Sequence, residues 1–102
     1  MSDLRRLVKA IRDLHGVSPT HVRSELVLEA FQGQTVWRGT VEVFAVEGHP
    51  KARFAYAWEH ETAAGNQRIV AVLGVPPINS ALEAVRAAIA ADHAAKQGRR
   101  VT

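Results

Sequence analysis

In a chain without cysteine, acid–base, nucleophilic or metal chemistry falls to the histidines, the carboxylates and a few serines. Their spacing argues against concerted use. His15 falls at a helix end, His21 opens a strand, His49 sits in a turn, His60 ends a strand and His93 lies on a helix surface. No two of them have the spacing of a zinc motif, and no thiolate is present to complete one. None of Ser2, Ser18, Ser24 and Ser80 stands in a G-x-S-x-G elbow, and Ser80 is better read as a helix cap. No glycine-rich loop precedes a helix to hold a phosphate. The nearest approach to a site is Glu59-His60-Glu61, where strand alternation sends the imidazole away from both carboxylates. Were the chain to hold an acid–base site, Tyr56, His60 and Glu61 would be its place. The reading leans away from an enzyme and implies neither a metal nor a cofactor.

The stretch ARFAYAWEH, residues 52–60, puts Phe54, Tyr56, Trp58 and His60 on one parity and Arg53, Ala55, Ala57 and Glu59 on the other. Rings at every second position form either the wall of a binding site or the apolar face of a strand. Each aromatic buries on the order of 150–250 Å², so this row is assigned to the covered side. With Trp37 it gives a candidate ligand site of Trp37, Tyr56, Trp58 and His60.

The elements that hold these residues follow from periodicity. Residues 3–15 repeat Leu4, Leu7, Val8, Ile11 and Leu14 at helical spacing, with Ser2 or Asp3 to cap the start and Gly16 to end it. A second helix starts at the capping box Ser80-Ala-Leu-Glu83 and runs to about Lys96. Its apolar arc, Leu82, Val85 and Ile89 extended by alanines, is wide enough for contact on two sides: the sheet, and either the first helix or a partner. Between the helices lie four strand patterns, 21–31, 35–46, 51–61 and 67–75, separated by turns at 32–34, 47–50 and 62–66. Gly39 interrupts the second, as a bulge or a close backbone approach does. Short connections pair neighbours antiparallel.

The expected fold is α+β: a four-stranded antiparallel meander with both helices packed on one face, in a single domain spanning 1–102 with a frayed basic tail from about 98. The covered face takes Leu26, Leu28, Trp37, Val41, Val43 and the aromatic row. The other face is left with Phe44, Arg53, Ala55 and Ala57, a shallow apolar patch ringed by charges of both signs. That composition suits a homodimer face. The alanine side of the last helix is a second place for a copy to bind.

The net charge of +3 is concentrated in the terminal segments 1–16 and 80–102, while 17–79 is close to neutral. Arg5, Arg6, Lys9 and Arg12 share the wet side of the first helix, and Arg99 and Arg100 stand in the tail. Together they could contact phosphates without reading sequence. The helix–sheet–helix order is similar to that of the double-stranded-RNA-binding domain. That family's last helix opens with lysines, whereas this one opens with NSALEA, and the fourth strand is extra. No apolar run is long enough to span a bilayer and the first sixteen residues lack the apolar centre of a secretory signal, so a cytoplasmic setting is expected.

Residues 35–89, from TVWRGTVEVFAVEGHPKARFAYAW through VAVLGVPPINSALEAVRAAI, resemble small uncharacterised bacterial proteins of the genomic-island and integron gene-cassette type. The resemblance implies a bacterial accessory protein of unassigned function and transfers no functional residue. The sequence therefore reads as a small binding protein, for a protein partner or a small apolar ligand, forming a homodimer. The alternative is a sequence-independent nucleic-acid binder.

Overall fold

The computed structural model describes residues 4–61 and 65–98, the side chains of residues 31 and 93–98 excepted. The elements are α1 (Leu4–His15), β1 (Ser18–Phe31), β2 (Gln34–Glu47), β3 (Phe54–Glu61), β4 (Gln67–Leu73) and α2 (Ala81–Gly98). The strands form one antiparallel sheet in the order β1-β2-β3-β4, the expected α+β meander. Among the described residues no helix is long and apolar enough to cross a membrane.

Local chemistry sets the element ends. Gly16, at φ +66°, closes α1, and its N–H donates to the Arg12 carbonyl at 2.9 Å. The proposed caps Ser2 and Asp3 lie outside the described residues. At the start of α2, the Glu83 N–H donates to the Ser80 hydroxyl at 3.2 Å. The Glu83 carboxylate in turn accepts from the Ser80 hydroxyl and from the Asn79 N–H. The β1–β2 turn places Gln32 and Gly33 at φ 52° and 77°, the pair of positive angles that a type I′ hairpin requires.

The two helices do not share a face, which corrects the expected layering. Val41 and Val43 of β2 lie with Val27, Tyr56 and Trp58 beneath Ala81, Ala84 and Val85 of α2. Phe44, Val46, Ala55 and Ala57 lie on the other side, beneath Leu7 and Ile11 of α1. The sheet is the middle of three layers. The reason is that both parities of β3 and β4 are apolar, so neither face can be left to water. The small side chains of Ala55 and Ala57 let α1 come close.

A second correction concerns β1. Leu26 and Leu28 stand opposite Thr40 and Arg38, on the α1 side of the sheet, and are 76% and 59% exposed. Val27 is the β1 residue that enters the core. β3 pairs with β2 only through Phe54–Ala57 opposite Glu42–Ala45. The outer half of the β1–β2 hairpin therefore extends past this pairing as a two-stranded arm, with one register irregularity on it, between Glu29 and Ala30, and another before it, between His21 and Arg23.

Candidate functional site

The arm, the sheet and α2 line a half-open cleft of about 150 Å³. Trp58 stands at the middle of β3, and the indole of Trp37 meets it edge to face, centroids 5.7 Å apart at 73°. Gly39 makes this possible: a Cβ there would meet Cη2 of Trp37 at 3.0 Å, so the indole can fold back along its own strand. The close approach at Gly39 is thus to a ring, and the one register irregularity of β2 lies elsewhere, at Val36. Val70, Val85, Ala88 and Ile89 complete the apolar lining, and His60, Arg68 and Asp92 supply polar groups at the same cleft. His60 and Arg68 are cross-strand partners, and Arg68 reaches Asp92 at 3.7 Å.

Three of the four ligand residues expected from the sequence, Trp37, Trp58 and His60, line this cleft. Tyr56 is buried in the same row but borders a different hollow, with Phe54, Gly74, Pro76 and Ile78. Burial pushes its phenol pKa up; Arg23 opposes this, while Glu25 and Glu83 add to it. Tyr56 and His60 therefore serve separate hollows, and Glu61 is exposed on the opposite parity. The acid–base grouping of Tyr56, His60 and Glu61 does not assemble. Arg68 and Asp92 were missed in the sequence. Alternation supplies a signal for Arg68, since it shares the parity of Val70 and stands across from His60.

The dimer face expected on β2 and β3 is occupied by the chain itself. Phe44, Ala55 and Ala57 are fully buried beneath α1, and only Arg53 is exposed. Of the cations proposed for phosphates, Arg6 pairs with Glu59 at 3.1 Å and Lys9 with Asp13 at 2.5 Å. The Arg6–Glu59 contact is an ion pair without hydrogen-bond geometry, because Glu59 Oε1 is buried and no donor is aimed at it. Arg5 and Arg12 are exposed on the same helix. Arg99 and Arg100 lie outside the described residues.

A second polar cluster lies on the α1 side. Glu42, 6% exposed, accepts from the Ser24 hydroxyl and from His21 Nε2–H at 2.9 Å. The His21 ring also stands edge-on to Phe44, centroids 5.4 Å apart. Serine donates here to the carboxylate and not to the imidazole, so nothing activates it as a nucleophile. The cluster satisfies a buried acid. His49 is likewise structural, its Nδ1 accepting from the N–H groups of Lys51 and Ala52. Among the described residues no three His, Asp or Glu side chains converge as a metal would need.

Comparison with known proteins returns no family model, no curated relative and no solved structure similar to this chain.

Proposed function

We propose that the protein is a small binding protein whose cleft beside Trp58 takes a ligand with one aromatic ring or a short apolar chain. The observation that carries the reading is the apolar cleft itself, walled by two indoles and provided with polar groups by His60, Arg68 and Asp92. Its size suits a small ligand or one end of a larger one. About 150 Å³ is close to the volume of dry cavities that accept benzene, and well below the ~300 Å³ at which drug-sized sites begin. Arg68 favours a ligand bearing a carboxylate, which would compete with Asp92 for the guanidinium. The resemblance of residues 35–89 to cassette-type bacterial proteins adds a cytoplasmic accessory setting to this proposal.

The test is a titration with benzoate, phenylacetate and toluene, followed by indole emission and thermal shift. Carboxylates should bind more tightly than toluene and lose that advantage in Arg68→Met. Unchanged emission and melting temperature at millimolar concentrations of all three would end the reading. The phosphate-binding alternative has less support, because Glu59 and Asp13 already engage Arg6 and Lys9. Retention on heparin with a steep salt dependence would favour it.

A further inference from the structure

The sheet has two free edges of different character. Along β1, Pro19, the irregularity around Val22 and the charges of Arg23, Glu25 and Glu29 are the devices by which a strand discourages pairing. The β4 run Ile69–Leu73 has no charge, proline or register irregularity, so nothing of the kind guards this edge against a neighbouring strand.

The backbone of β4 is set for such a neighbour. The Gly74 N–H donates to the Phe54 carbonyl at 2.7 Å, so residues 54 and 74 form a hydrogen-bonded pair. With the register of β3 and β4, this makes Ala57 and Ala71 a non-hydrogen-bonded pair. Ile69, Ala71 and Leu73 then direct their N–H and C=O groups away from β3. His15 at the end of α1 accounts for one of them: its Nε2–H donates to the Ala71 carbonyl at 3.0 Å. Along this edge runs an open groove of about 470 Å³, between His15 on one side and Ala87, Ala88 and Ala91 of α2 on the other. The alanines leave room for a backbone.

We infer that the groove is filled by β4 of a second copy, antiparallel about a two-fold axis at Ala71, giving one sheet of eight strands, four from each copy. The run is self-complementary in that register. Directly opposed residues must share a face of the sheet, and with Ala71 on the axis Ile69 meets Leu73 while Val70 meets Val72. Arg68 falls opposite Gly74, beyond the end of the apolar run. His15 yields the Ala71 carbonyl as the new ladder forms. Arg68, Val70, Ala88 and Asp92 border both groove and cleft, so the docked copy narrows access to the cleft. The inference stands without the ligand reading, since it rests on the edge alone.

Sedimentation equilibrium at tens of micromolar, with amide exchange on the same samples, tests it. A dimer is expected, with the amides of Ile69, Ala71 and Leu73 protected. Ala91→Lys, on an exposed position of α2, should weaken dimerisation by about tenfold or more and unprotect those amides while far-UV dichroism stays native. Leu28→Lys, on the arm, should leave the dimer intact. His15→Ala should tighten it severalfold by freeing the Ala71 carbonyl. A wild-type monomer, an Ala91→Lys dimer as tight as wild type, or protection at β1 in place of β4 would overturn the inference. So would a monomer whose β4 amides become protected only on adding an extended apolar peptide.

Discussion

Arg86 of α2 grips Glu29 at the far end of β1 with two prongs of its guanidinium, Nε to one carboxylate oxygen and Nη2 to the other at 3.4 Å. The residues are 57 positions apart, and the pair ties the projecting arm to the helix beside the cleft. The Arg86 hydrogen bond holds the Glu29 carboxyl below the usual carboxylate range, against a smaller opposing effect of desolvation. The guanidinium is correspondingly raised, with the hydrogen bond to Glu29 as the main cause.

A pH dependence follows from that pair. The Glu29 pKa is lowered on folding, so its contribution is complete above the unfolded value of about 4.3 and is lost as pH falls through the folded value. Chemical denaturation should show Arg86→Gln less stable than the parent near neutrality and the difference vanishing in acid. A constant difference across that range would mean that Arg86 acts through packing of its stem. The pair is solvent-accessible on the Arg86 side, so the effect should also shrink with salt.

The indole pair fastens the arm from inside. Trp37→Ala removes an edge-to-face contact worth about 0.5–1.5 kcal/mol beyond area burial. It should weaken the near-UV dichroism bands and speed amide exchange along the arm, with the sheet left folded. Trp58→Ala should cost more, about 3–5 kcal/mol, because Trp58 is almost wholly buried under α2. Similar costs for the two would show that the arm belongs to the core.

The Glu42 cluster gives a stability prediction of a different kind. Ser24→Ala removes one donor to a buried carboxylate and should cost about 1–3 kcal/mol. The double variant Ser24→Ala, Glu42→Leu should recover part of that loss, since removing the buried acid together with its donor leaves less unsatisfied. Urea unfolding of both variants measures it, and a double variant worse than the single would contradict the role given to Glu42.

Ser80→Ala should lose about 1 kcal/mol, with Ser80→Asp close to neutral, as expected of a cap whose oxygen accepts from the Glu83 N–H. A loss in Ser80→Asp as large as in Ser80→Ala would contradict that role.

What the sequence made legible was local. The Ser80–Glu83 box, the closure at Gly16, the turn at Gly33 and the alternation of Tyr56 and Trp58 each rest on neighbours in the chain, and each is present in the structure. The partition of the helices between faces was not legible from any one strand. Tyr56 and Trp58 outweigh Ala55 and Ala57 in area, and that comparison hid the fact that both parities are apolar. Reading Ile69–Leu73 beside them as apolar throughout points to a sheet covered on both sides. Arg68 and Asp92 come together only through tertiary packing of β4 against α2, which no spacing in the chain encodes.

The three-layer arrangement also bears on how the chain acquires its shape during synthesis. Every strand pairs with the one made just before it, and α1 precedes them all, so the Phe44 side can close as soon as β3 and β4 emerge. The side bearing Val41, Tyr56 and Trp58 must wait for residues 81–98. For that interval a nascent chain shows water a broad oily sheet, the kind of surface that recruits holdase chaperones or draws neighbouring polypeptides into aggregates.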